Sequence, residues 1–165
     1  MFLISSASVM YWTKYLQAGS SIWRSDLDGS NGVRILDHLK YPYGIAIDFS
    51  SRRLYWADFE DSRIQSSDLQ GRNFRATFKL PNESYPTGVV VIGHRIYWGT
   101  WGSGKLQSGG KVGRQIITYY NGADTIHHLA VVPSTALSRN RTNHCEVPGC
   151  PKVCVLTATS YRCLE

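Results

Sequence analysis

Leu54-Tyr55-Trp56-Ala57-Asp58 is one of three copies of a short aromatic strand, the others being Met10-Tyr11-Trp12-Thr13 and Ile96-Tyr97-Trp98-Gly99-Thr100. The three tryptophans stand 44 and 42 residues apart. Each copy is followed by a second match: Ile22-Trp23-Arg24-Ser25, Ile64-Gln65-Ser66-Ser67 and Leu106-Gln107-Ser108. Gly29, Gly71 and Gly113 then recur at a spacing of 42. Tyr41-Pro42-Tyr43-Gly44-Ile45-Ala46-Ile47 has a partner in Tyr85-Pro86-Thr87-Gly88-Val89-Val90-Val91. Several elements in one order at a fixed period identify a repeat protein.

Each unit reads as strands. Ile45, Ile47 and Phe49 alternate on one face, and Leu54 and Trp56 oppose Tyr55 and Ala57. Ser50-Ser51-Arg52-Arg53 is a polar turn between these runs. Residues 63–68 form a third strand, Gln70-Gly71-Arg72 the next turn, and residues 74–78 a fourth strand with looser alternation. Four antiparallel strands in roughly 40–45 residues describe a propeller blade. Inner strands apolar on both faces fit a sheet held between two neighbours. The competing architecture, an irregular sandwich, would not require a period.

The units resemble the YWTD (class B) repeats of the low-density-lipoprotein receptor family across about residues 1–133. Tyr-Trp, Pro-x-Gly and the Asp-x-x-Gly turns (Asp26 to Gly29, Asp68 to Gly71) carry the resemblance in register. It implies an all-β fold in which six blades close a disc, with about three present here. Aligned on Tyr-Trp, Met1 to Ile4 overlays Ile45 to Asp48. The chain is therefore expected to begin inside a repeat, as part of a longer protein or a truncated product. Phe2-Leu3-Ile4 is too short an apolar stretch for a signal peptide, and no basic residue precedes it.

The resemblance gives Tyr11, Trp12, Tyr55, Trp56, Asp58, Tyr97 and Trp98 structural roles between blades. The family's acid, which ties adjacent blades by accepting backbone hydrogen bonds, falls on Asp58 alone. Lys14 and Thr100 hold the other two positions, and Lys14 cannot accept. After the third repeat, residues 124–132 replace Pro-x-Gly and are expected to add a strand to the blade circle.

All four cysteines, Cys145, Cys150, Cys154 and Cys163, lie near the C-terminus, beyond a linker at 134–144. A module of residues 145–165 cannot bury a core and needs disulfides or a metal. The C-x4-C-x3-C-x8-C spacing contains no C-x2-C knuckle, which favours disulfides over zinc despite the adjacent His144. Three connectivities remain open on spacing. The segment resembles a truncated EGF-like module, and that resemblance implies Cys145–Cys154 and Cys150–Cys163 pairs. Only Gly149 remains of the usual double glycine, and Glu165 stands where a fifth cysteine would fall.

Disulfides imply an oxidising compartment. The sequons at Asn82 and Asn140 agree with glycosylation in loops. No run of eighteen apolar residues is present, so a membrane is expected only through a segment outside this chain. The net charge of +6 is scattered, as in Arg52-Arg53 and Arg72 with Arg75, which argues against nucleic acid and suits an acidic protein partner.

Gly99–Lys105 has phosphate-loop spacing, but Leu106 replaces the required hydroxyl, and a glycine-rich blade turn explains it. His127 and His128 are expected on opposite strand faces, unable to share an ion. No catalytic arrangement, metal or cofactor is expected, so the chain reads as a non-enzyme. A calcium-holding propeller hydrolase is the disfavoured alternative. The preferred reading is an extracellular ligand-binding module of an endocytic lipoprotein-receptor-like protein. Its partners would be extracellular proteins, including acidic class A modules of the same receptor. A basement-membrane, nidogen-like unit or a Wnt co-receptor-like unit is the alternative. Tyr41, Tyr43, Tyr85 and Trp101 sit at strand–loop borders as ligand-face candidates, with interblade packing as their competing role. The family's pH-sensing positions match Ser62 and Tyr85, so an acid switch is not expected unless His38, His94, His127 or His128 substitutes.

Overall fold

The computed structural model describes residues 9–16, 19–122 and 124–131 in full, and the backbone alone of Leu3–Ser6, Val153–Leu156 and Tyr161–Leu164. The chain divides into two compact units, Met1–His128 and Leu129–Glu165. Among the described residues there is no helix, and so none long and apolar enough to cross a membrane.

The first unit contains three four-stranded antiparallel meanders. Blade 1 comprises β1 (Leu3–Ser6), β2 (Val9–Lys14), β3 (Ser20–Asp26) and β4 (Val33–Leu39). Blade 2 comprises β5 (Pro42–Asp48), β6 (Arg53–Asp58), β7 (Arg63–Asp68) and β8 (Arg75–Lys79). Blade 3 comprises β9 (Pro86–Ile92), β10 (Arg95–Thr100), β11 (Lys105–Gly110) and β12 (Arg114–Asn121). Ile45 faces Trp56 and Val89 faces Trp98, while in blade 1 Leu3 faces Trp12, two residues on from the Met1 that the overlay placed there. This is the partial propeller that the period implied.

Alternation along the aromatic strand builds the seams. Tyr11, Ile22, Ile45, Leu54 and Trp56 form one buried cluster, joining blades 1 and 2. Tyr55, Phe78, Val89, Ile96 and Trp98 join blades 2 and 3 in another. Tyr11 and Tyr55 thus face the following blade, and Trp56 and Trp98 the preceding one. Full burial of such a side chain is worth about 2–3 kcal/mol. Polar groups carried into the seams find partners: the Tyr11 hydroxyl donates to the Leu69 carbonyl at 3.2 Å, and Trp56 Nε1 to Gln65 Oε1 at 2.8 Å.

The Asp-x-x-Gly turns are side-chain braced. Asp68 Oδ1 accepts from the amides of Gln70 (3.0 Å) and Arg72 (2.8 Å), and its Oδ2 accepts from Asn73. Asp26 takes Asn31 in the same way at 2.7 Å.

Three expectations need correction. Phe49 lies beyond β5 and is 66% exposed, because Asp48 ends the strand by accepting from Ser50 and Ser51. Phe74 precedes β8 and is exposed. Residues 124–131 form no strand. A strand needs a ladder of partners; Ile126 makes one backbone bond, its N–H to Thr100 O at 3.4 Å, while its carbonyl accepts from the Thr87 hydroxyl.

In the second unit, β13 (Val153–Leu156) and β14 (Tyr161–Leu164) form an antiparallel pair with Cys154 opposite Cys163. The linker at 134–144, Asn140, Cys145 and Cys150 lie outside the described residues.

Candidate functional site

At one end of the blades, the second strand of each meander finishes and the first strand of the next blade begins. Tyr15, Phe59 and Trp101 follow the aromatic strands β2, β6 and β10 by one residue. Each meets an aromatic ring 26 residues later, tilted for Tyr15, stacked for Phe59 and edge-on for Trp101. Tyr15 meets Tyr41 at 4.4 Å between centroids, Phe59 meets Tyr85 at 4.9 Å, and Trp101 meets His127 at 4.9 Å. The pairs are linked across blades. Phe59 lies 5.5 Å from Tyr41, 5.9 Å from Tyr43 and 6.1 Å from Trp101. The result is a ladder of rings across the loop face.

Tyr41, Tyr43, Tyr85 and Trp101, the four ligand-face candidates, are brought together in this ladder. Trp101 is 43% exposed, while Tyr41, Tyr43 and Tyr85 are half-buried. Burial pushes the Tyr43 phenol up from its ordinary value, and the neighbouring Tyr41 adds to the shift. It therefore remains a hydroxyl at neutral pH.

Phe59, at the centre, was not among the candidates, nor were Tyr15 and His127. The signal was the aromatic position immediately after Lys14, Asp58 and Thr100. His127 and His128 are side by side, with ring centroids 6.3 Å apart, and His128 lies 6.5 Å from Tyr43. The opposite-face expectation fails because this segment is not a strand.

Beside Tyr15, an open cleft of about 430 Å³ is lined by Leu16, Gly19, His38, Leu39, Lys40 and Glu60. It offers apolar wall and both signs of charge next to the ladder.

Asp58 anchors the face from below. Its Oδ1 accepts from the Tyr41 amide at 3.0 Å and the Asp61 amide at 3.3 Å, fixing the crossing from blade 1 to blade 2. Burial raises its pKa above the ordinary 3.8, and the backbone donors only partly oppose this. At the corresponding positions the chemistry differs. Thr100 Oγ1 instead engages Ser103 at 2.7 Å and the Lys105 amide at 2.9 Å, bracing its own turn. Lys14 places its Nζ 5.7 Å from the Trp23 ring centroid. The phosphate-loop-like stretch 99–105 is the β10–β11 turn, with no helix to follow.

Of the remaining interblade residues, Tyr11, Tyr55, Trp56 and Trp98 are buried in the two seams. Tyr97 is buried beside Tyr119 at 5.8 Å. Trp12 is half-buried and stacks on Trp23 at 6.2 Å, on the blade face away from Tyr11. Asn82 is exposed in the β8–β9 connection. Among the described residues, no group of three or more His, Cys, Asp or Glu side chains converges on a point.

No family model matches the chain. A curated relative, the mouse (Mus musculus) low-density lipoprotein receptor-related protein 5, is 33% identical over 84 residues, half of this chain. The chain spans 5% of that protein's length. Among solved structures, a chain of a nidogen/laminin complex matches 74% of this chain at 24% identity, with a TM-score of 0.65. Regucalcin from Agrobacterium tumefaciens, described as a calcium-binding protein, matches 78% at 16% identity and 0.66. A gluconolactonase from Xanthomonas campestris matches 78% at 19% identity and 0.64. This chain spans about half of each solved chain, 47–49%.

The gluconolactonase overturns one expectation. The chain was read as a non-enzyme, yet its blades are shared with an enzyme, so the architecture gives no ground for excluding catalysis. At that identity the likeness concerns the fold alone. The Tyr-Trp register and the similarity to the receptor-related protein are specific to the repeat itself. The three blades are YWTD repeats of the low-density-lipoprotein-receptor type, arranged as part of a propeller.

Proposed function

We propose that the loop face of these blades captures an extracellular protein, with the aromatic ladder as the contact surface. The observation that carries this reading is the continuous set of rings from Tyr15 through Phe59 to Trp101 and His127. Aromatic side chains bury large area for few rotatable bonds, and interface hot spots of about 2 kcal/mol or more are enriched in them. The parent is an endocytic, lipoprotein-receptor-like ectodomain. The cysteine-rich tail is a truncated EGF-like module with Cys145–Cys154 and Cys150–Cys163 disulfides, and Asn82 and Asn140 carry glycans. The net charge of +6 suits acidic, cysteine-rich class A modules as the partner.

The test immobilises the full chain and flows calcium-loaded class A modules over it at low and physiological salt. Binding that weakens with salt and is lost in Trp101→Ala supports the proposal. No binding at either salt concentration, or binding indifferent to every ladder substitution, overturns it.

A second reading is an architectural, basement-membrane role, favoured by the similarity to the nidogen chain. Capture of a laminin fragment in place of the class A modules would select it.

A further inference from the structure

The turns β5–β6, β7–β8, β9–β10 and β11–β12 all lie at the end of blades 2 and 3 opposite the ladder, because successive strands of a meander alternate in direction. Arg52, Arg72, Arg75 and Arg114 stand exposed there, in or directly after those turns. Charge that is dispersed along the sequence is thus gathered by the fold. Three of these four arginines belong to blade 2, which has a blade packed on either side. Their exposure is a property of a blade with both neighbours in place.

The arrangement repeats. Arg114 follows Arg72 by 42 residues, and Arg95 follows Arg53 by the same interval. The second pair is half-buried and holds the turns that carry the first. Arg53 Nη2 donates to the Asn73 carbonyl at 3.0 Å, one residue beyond Arg72. Arg95 Nη2 donates to the Gln115 carbonyl at 3.0 Å, one residue beyond Arg114. Arg52 itself holds a φ of 51°, a left-handed conformation uncommon for such a residue and of the kind that collects at functional positions.

The carboxylates at this end of blades 2 and 3 are both engaged. Asp48 pairs with Lys111, and Asp68 accepts from the amides of Gln70 and Arg72 and from Asn73. Among the described residues none of the four exposed arginines forms an ion pair. In the same turns Phe49 and Phe74 are 66% and 50% exposed.

We propose that this end of the blades binds a linear sulfated polysaccharide. Sulfate presents oxygens as phosphate does, and a guanidinium takes two of them at once in charge-assisted hydrogen bonds. Cations repeated at the blade period suit a polymer whose charge is itself periodic. The rings of Phe49 and Phe74 offer apolar surface to the C–H faces of its sugars. An anionic lipid surface suits this end less well. Insertion requires apolar side chains that project, and the Phe74 ring leans back on Trp56 at 5.8 Å. The inference takes its extracellular setting from the function proposed above and makes no use of the ladder.

The experiment measures binding of the full chain to a heparin oligosaccharide by calorimetry over a salt series, beside the same oligosaccharide stripped of its sulfates. The parent chain should bind the sulfated form alone, with an affinity that falls as salt rises. Arg72→Gln combined with Arg114→Gln should weaken binding about tenfold or more and make the salt slope shallower by about one unit for each arginine removed. Lys79→Gln combined with Lys105→Gln removes the same net charge at the ladder end and should leave binding as it was. Trp101→Ala, which tests ligand capture on the ladder, should bind heparin as the parent does. Far-ultraviolet spectra establish that each variant is folded. Absence of binding at low salt overturns the proposal, as do equal losses in the two double variants, which would leave net charge as the sole cause. Tighter binding to phosphatidylserine vesicles or to duplex DNA than to heparin overturns it in favour of a membrane or a nucleic acid.

Discussion

Phe59 stacks on Tyr85 with ring centroids 4.9 Å apart, the same separation that Trp101 keeps from His127 one blade later. The first ring of each pair follows an aromatic strand by one residue, and Tyr41 and Tyr85 immediately precede the first strand of the next blade. Packing and the proposed ligand contact would draw on the same ladder, and substitution separates them. Phe59 touches Tyr41, Tyr43, Tyr85 and Trp101 from a half-buried position. Phe59→Ala should lower the unfolding free energy by roughly 2 kcal/mol, read by urea denaturation. Trp101→Ala, on the exposed margin, should change stability by less than about 1 kcal/mol while abolishing capture of class A modules. Equal stability losses in the two variants would assign Trp101 to packing.

The Asp48–Lys111 ion pair joins the β5–β6 turn of blade 2 to the β11–β12 turn of blade 3, with Ser50 and Ser51 completing the carboxylate's bonds. Burial by itself would push the Asp48 carboxyl up, but hydrogen bonds from Lys111, Ser51 and Ser50 together hold it well below the ordinary 3.8. A depressed carboxyl stabilises the fold above its unfolded pKa, and the contribution fades as pH falls through and below that value. Lys111→Met leaves the buried charge without its partner and should cost about 3 kcal/mol at neutral pH. The gap between variant and parent should narrow between about pH 5 and pH 2. A gap that stays constant over that range would mean that Lys111 acts through packing alone.

Asp58 has the opposite sign. Its carboxyl is raised by burial, although it accepts from the amides of Tyr41 and Asp61. Its ionised form is thus the less favourable one, and its contribution to stability declines as pH rises from 3.8 through the raised folded value. Asp58→Asn keeps an Oδ1 acceptor and removes the charge, so stability relative to the parent should improve as pH rises over that range. Asp58→Ala strips the acceptor from two amides and should cost about 1–3 kcal/mol. Calorimetry that found the two variants equally destabilised would show that the charge, and not the acceptor, is what blade 2 requires.

The blades were legible because one period carried three independent signals: aromatic strand, glycine turn and Pro-x-Gly. Each reports a local constraint that recurs wherever the same seam recurs. The ladder was less legible, because Tyr15, Phe59 and Trp101 conserve aromatic character without identity, and their partners end in a histidine. Phe49 misled because strand alternation predicts its face, whereas the Asp48 side chain decides where the strand stops. Residues 124–131 misled because apolar content signals strand propensity but supplies no partner. A propeller hydrolase was visible only as the disfavoured alternative, since sequence motifs say nothing of which enzymes share the blades.

The seam glycines give a last prediction, which isolates close approach from backbone conformation. Gly71→Ala meets two penalties: a left-handed φ of 81°, and overlap of the new Cβ with the Ile35 carbonyl, a backbone group that cannot swing aside. Left-handed backbone costs an alanine about 1–2 kcal/mol, and overpacking adds about 1–3 kcal/mol. Gly102→Ala, in the β10–β11 turn at φ 68° with open space around it, meets the first penalty alone. Urea denaturation should therefore place Gly71→Ala about 1–3 kcal/mol below Gly102→Ala. If the two fell together, blades 1 and 2 would be free to separate by the width of a methyl group. The seam would then owe its stability to Tyr11, Leu54 and Trp56 rather than to the approach of β4 to the turn.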